Sequence, residues 1–274
     1  MKTRIILGAL MLAILTFLFV LDHWRESRIA VSAVAVLIGC AGWLEFAKIS
    51  RVWGQADGSL TSVVVGLLGT AYFLLVPFWS DNSVDWMSIG LAGVIFGAVL
   101  PALLSGEHER GLRLVQVTVL GVLLWGFLFS FTLRIYHHSN GISLGVFFLL
   151  GAKGNDIVAY FVGRAVGKHT FLKVSPKKTL EGCGGAIVFS VLWFIGLRLV
   201  SPDVVFGWPL LILLGIIFSV MTQAGDLAES LLKRAFGVKD SASLLPEFGG
   251  VLDLIDSTLF SGVFFWCVVE AFLG

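Results

Sequence analysis

Asp226 and Glu229 close one long apolar run of this 274-residue chain, and Asp253 and Asp256 open the next. Each pair is spaced i, i+3 and so leaves one face of its helix, and two carboxylates about 5 Å apart repel by roughly 3 kcal/mol at an effective dielectric of 20. A charged side chain at the centre of a spanning helix costs about 2.5 to 3.5 kcal/mol on insertion scales. A bound cation offsets both terms. Carboxylate oxygens select hard cations such as Mg²⁺ or Mn²⁺, which keep several waters and bind phosphates rather than fill an all-protein cage. Between the pairs lie Lys233, Arg234, Lys239 and Asp240. This basic hairpin favours a phosphate over a bare ion, the competing reading being a proton or sodium pathway through the same carboxylates.

Two further stretches carry polar groups. The segment Ser175-Pro176-Lys177-Lys178-Thr179, followed by Glu181 and Gly182, supplies two hydroxyls, two ammonium groups and a rigid turn at a helix start. Such a turn suits a polyphosphate, because glycine lets backbone approach a ligand and a helix N-terminus favours anions. The plainer alternative is a set of lysines anchored to lipid headgroups. Asn155 and Asp156 sit inside an apolar run, as a site or as a hydrogen bond between helices, and Lys153, three positions before Asp156, is placed to neutralise it within the helix.

Positioning these groups falls to membrane-spanning helices. A chain with 57% hydrophobic and 14% charged residues is too apolar for an ordinary soluble domain. The apolar runs give an all-α polytopic membrane protein of about nine transmembrane helices, near 5–21, 29–47, 60–79, 86–104, 112–133, 141–163, 184–200, 207–232 and 250–273. Residues 1–135 read as scaffold, with Glu45 their exceptional buried charge, and residues 136–274 as the region that carries chemistry. With the N-terminus in the cytoplasm, every Lys and Arg falls on the cytoplasmic side except Arg25, Arg28, Arg134, Arg198 and the intramembrane Lys153, which fixes the orientation. The net charge of +1 gives no sign of a nucleic-acid partner, and Cys40, Cys183 and Cys267 lack metal-ligand spacing. The histidines are adjacent or single, which argues against zinc, and the Walker A and His-Glu-x-x-His patterns are absent from the sequence.

The polar positions of the C-terminal half resemble the phosphatidate cytidylyltransferases, integral-membrane enzymes that make CDP-diacylglycerol. That family's signature stands here as Ser230, Lys233-Arg234, Lys239-Asp240, Leu245-Pro246, Phe248-Gly249-Gly250 and Asp253-Leu254-Ile255-Asp256, with its spacing kept. The upstream block, Asn155-Asp156, Ala159-Tyr160, Gly163-Arg164, Gly167-Lys168 and Ser175 to Gly182, is similar as well. Phe248 stands where the family has histidine and Leu254 where it has arginine. These departures remove two cationic groups beside the acids and suggest a divergent subgroup in which other basic residues compensate; a catalytically silent relative is the alternative.

The resemblance implies transfer of CMP from CTP to phosphatidic acid, releasing pyrophosphate. It implies Mg²⁺ or Mn²⁺ held by Asp226, Asp253 and Asp256, with Lys233 and Lys239 completing the catalytic set. Substrate contacts would come from Asp156, Ser175, Lys177, Lys178, Thr179, Glu181, Arg234, Asp240, Gly249 and Gly250. The expected setting is a bacterial inner membrane with the site at its cytoplasmic face, membrane lipids as neighbours and a homodimer possible. A CTP-dependent polyprenol kinase, a cytidylyltransferase for another lipid phosphate and an ion-coupled transporter are the alternatives.

Overall fold

The computed structural model describes residues 2–50, 59–78, 85–104, 108–170, 172, 174–200, 206–238 and 250–273. Its helices are α1 (Lys2–Trp24), α2 (Ile29–Ile49), α3 (Ser59–Leu75), α4 (Trp86–Leu104), α5 (His108–Val122), α6 (Phe129–His137), α7 (Gly141–Val166), α8 (Leu180–Val200), α9 (Trp208–Ala235) and α10 (Leu252–Leu273). A π-helical turn, Leu123–Leu128, joins α5 to α6 without a break, so the described residues form nine helical runs. Eight of these are long and apolar enough to cross a membrane, and α1 adds the apolar stretch Ala13–Trp24. Among the described residues the single β interaction is an isolated bridge between Thr170 and Thr179. The chain is all-α.

Several boundaries move outward from those read in the sequence, each for a local reason. The fifth run begins at His108 and reaches His137, because the polar residues at both ends still continue the helix. Helix α8 begins at Leu180 rather than 184, since the Thr179 hydroxyl accepts the Gly182 N–H at 3.1 Å and caps the first turn. Helix α9 runs to Ala235 and is stopped by Gly237, whose φ of 73° closes the helix end with an N–H donated to the Arg234 carbonyl. Lys239, Asp240 and Gly249, with Leu245, Pro246 and Phe248, lie outside the described residues.

By internal contacts the chain divides into two compact units, residues 1–137 with 238–254, and residues 138–237 with 255–274. The first is built on bulky aromatics: Trp43, Phe46, Phe73 and Trp125 are fully buried, and the Trp43 indole donates to the Val63 carbonyl at 3.1 Å. Asp22 caps α2, accepting the Ala30 and Val31 N–H groups at 3.0 and 2.9 Å and the Tyr136 hydroxyl at 2.9 Å. Glu45, which the sequence singles out as the scaffold's buried charge and which the structure buries alongside Asp22, accepts the Val251 N–H at 2.7 Å ahead of α10. A carboxylate beside the exposed N–H groups of a helix start is stabilised by the partial positive charge there.

The second unit carries a cluster of rings from Phe147, Phe148, Phe194, Phe218 and Phe265. Asn155 ties three helices above it. Its side-chain amide nitrogen on α7 donates toward Ser190 on α8 at 2.8 Å and Ser219 on α9 at 2.7 Å, from a fully buried position. Apolar surface gives little orientation to helices in lipid, whereas buried hydrogen bonds fix their register.

Candidate active site

In the second unit α9 delivers Asp226 and Glu229 from one face, and α10 delivers Asp256. One carboxylate oxygen from each lies within 4.8 Å of the others. Glu229 and Asp256 are buried and Asp226 is partly exposed, so the trio opens on one side. The approach depends on Gly225: a Cβ there would collide with the Asp256 carbonyl oxygen, so any larger residue would push α9 off α10. Three carboxylates this close repel by about 3 kcal/mol per pair at an effective dielectric of 20.

Lysines from three directions answer that repulsion. Lys178, from the Ser-Pro-Lys-Lys turn, forms an ion pair with Asp226 and reaches the Gln223 carbonyl at 3.4 Å. Lys233 lies 2.9 Å from Glu229, one turn earlier on α9, with both side chains nearly inaccessible. Lys153 lies 3.7 Å from Asp156, as its spacing suggested, and also 3.6 Å from Asp256 and 2.8 Å from the Ser257 hydroxyl. The expected pairing within one helix is therefore a bridge from α7 to α10. Among the described residues the carboxyl groups of Asp156, Asp226, Glu229 and Asp256 face the amino groups of Lys153, Lys178 and Lys233. An all-oxygen donor set of this kind fits a hard divalent cation.

The loop that brings Lys178 is held by Glu181. Its Oε2 accepts the Lys168 and His169 N–H groups at 3.1 and 3.3 Å, and its Oε1 lies 2.6 Å from His169 Nδ1. Ser175 closes the turn by accepting the Lys178 N–H at 3.1 Å through its carbonyl, and Thr179 caps α8. Thr179 and Glu181 thus shape the loop, whereas Lys177 projects into solvent beside Lys178 and Arg234 is exposed at the end of α9. Asp253 belongs to the first unit, where its carboxylate accepts the Gly250 N–H at 2.9 Å and caps α10. The residue set implied by the family resemblance does not include Lys153 or Glu229, although the sequence pairs them with Asp156 and Asp226. Glu229 was detectable from its i, i+3 spacing to Asp226, and Lys153 only as a charge inside an apolar run.

Long apolar helices enclosing a network of carboxylates and ammonium groups define an integral-membrane protein with a charged interior site. The model of the cytidylyltransferase family matches residues 2–272, and the chain belongs to that family. Similar proteins include the phosphatidate cytidylyltransferase of Bacillus subtilis strain 168, 28% identical over 99% of this chain and 98% of the relative. The phosphatidate cytidylyltransferase of Staphylococcus haemolyticus is 39% identical over 70% of this chain and 74% of its own, and that of Helicobacter pylori J99 is 29% identical over 96% and 89%.

Proposed function

We propose that the protein transfers the cytidylyl group of CTP to phosphatidic acid, giving CDP-diacylglycerol and pyrophosphate, at the cytoplasmic face of a bacterial inner membrane. The observation that carries the reading is the ion pair between Lys178 and Asp226, which joins the loop suited to phosphate with the acids suited to a divalent cation. Family membership and the whole-length similarity to phosphatidate cytidylyltransferases support the choice of reaction.

In this reaction a phosphate oxygen of the lipid attacks the α-phosphorus of CTP, the bond to the β-phosphate oxygen breaks, and pyrophosphate leaves in line. A phosphate monoester is already ionised near neutral pH, so the protein needs no strong base and acts by positioning and charge neutralisation. Asp226, Glu229 and Asp256 would hold Mg²⁺ or Mn²⁺, which supplies charge neutralisation on phosphate oxygens. Lys178, freed from Asp226 as the site loads, swings to the triphosphate on a flexible stem. Lys177 and Arg234 add positive charge at the exposed rim, where a water-borne nucleotide meets a lipid phosphate whose acyl chains stay among the apolar helices.

The test is purified full-length protein with CTP labelled in the cytosine ring and phosphatidic acid in detergent micelles. The expected result is a labelled lipid and one pyrophosphate per CTP consumed. Release of CDP with a phosphorylated lipid would show γ-phosphoryl transfer instead, and intact CTP under all conditions would reject the enzyme reading.

A further inference from the structure

Asp256 belongs to two arrangements at once. It completes the trio with Asp226 and Glu229, and it shares the ammonium group of Lys153 with Asp156. Lys153 also donates to the Ser257 hydroxyl at 2.8 Å, so its head is held between α7 and α10. Its side chain is 37% exposed while that of Asp256 is 8% exposed. The ammonium group therefore reaches a nearly buried carboxylate from a side chain that is itself partly exposed.

Resting on the reading above, we propose that Lys153 is a resident counter-ion that occupies Asp156 and Asp256 before a divalent cation arrives and competes with that cation for Asp256. The physics is a comparison of charges. An ammonium and a divalent cation cannot both lie within contact distance of one carboxylate without repelling, so an incoming metal must displace Lys153 from Asp256 or bind against its field. Asp156 gives the displaced ammonium a second anchor 3.7 Å away on its own helix, so Lys153 needs only a change in its flexible stem. Lysine also supplies positive charge next to the acids in a chain that has Phe248 and Leu254 where the family signature has histidine and arginine.

A purely structural lysine and a competing counter-ion differ in what its removal does to metal binding. Losing a structural bridge loosens the acids and weakens affinity, whereas losing a competitor strengthens it. The experiment measures Mn²⁺ binding by electron paramagnetic resonance on the purified full-length protein with no nucleotide or lipid substrate present. Lys153→Met keeps the unbranched stem and removes the charge, and is expected to bind Mn²⁺ about tenfold more tightly than the wild type. Lys153→Arg, whose fork grips two carboxylates more firmly, is expected to bind it more weakly.

Equal affinity in all three proteins, or weaker binding in Lys153→Met, overturns the inference. If Lys153→Met does not purify in folded form, the comparison of arginine with lysine decides alone, and equal affinities there reject it. Asp226→Asn serves as the control. Unchanged Mn²⁺ binding in that variant places the ion elsewhere and refutes the site reading itself, whereas its loss alongside unchanged Lys153 variants sinks only the counter-ion.

Discussion

Lys178 is the point at which two distant stretches of sequence become one site. Its ammonium group rests on Asp226, so the net charge of that corner depends on both. Asp226→Asn removes one carboxylate of the trio, and the lost charge stabilisation is expected to lower kcat by roughly 10²- to 10³-fold, read in the CTP assay with far-ultraviolet circular dichroism unchanged. Lys178→Met is expected to raise the KM for CTP more than it lowers kcat under the proposed role of the lysine at the nucleotide phosphates; an unchanged KM would remove it from the substrate. Asp253→Asn separates two roles. Asparagine still accepts the Gly250 N–H and still caps α10, so the fold and membrane insertion should persist. Turnover is nevertheless expected to fall by at least about 10²-fold if the charge is what matters, and wild-type turnover in this variant would reduce Asp253 to a cap. The acids were legible from the sequence because charge inside an apolar run demands a partner. Which lysine answers which acid was not, because side chains of similar reach compete and only the helix crossings choose among them.

At the scale of elements, a short loop and one helix crossing do most of the positioning. Glu181 fastens the segment between α7 and α8 by three contacts to Lys168 and His169, and the same segment presents Lys178. The sequence suggested Glu181 as a substrate contact; in the folded chain its carboxylate is engaged by the loop. Glu181→Ala should therefore expose the peptide bonds after Lys168 and Lys177 to trypsin at a markedly higher rate, with activity reduced and recovered at higher CTP. Unaltered cleavage would mean that the bridge of Thr170 with Thr179 and the Thr179 cap already hold the loop. Gly225→Ala forces a Cβ into the Asp256 carbonyl, an overpacking expected to cost about 1 to 3 kcal/mol and to lower the thermal midpoint in detergent together with activity. This crossing was invisible in the sequence, where Gly225 is one glycine among 32.

For the whole molecule, the proposed reaction makes turnover depend on a divalent cation. Chelation with EDTA is expected to abolish turnover, with Mg²⁺ or Mn²⁺ restoring it; indifference to chelator would remove the metal from the reaction. Composition and hydrophobic run lengths alone determined that the chain is helical and membrane-embedded, because a backbone in hydrocarbon must satisfy its own hydrogen bonds and a helix does so locally. The same local logic determined that the acids of α9 and α10 leave their helices in pairs, one turn apart. Tertiary structure decided the rest. It gathered Asp226, Glu229 and Asp256 into one trio and set Lys178 and Lys153 against them from α8's leading turn and from α7. It also gave Asp253 to the cap of α10. Those choices rest on close packing at a glycine and on buried hydrogen bonds from Asn155, whose energies depend on residues far apart in sequence and so leave no periodic trace in it.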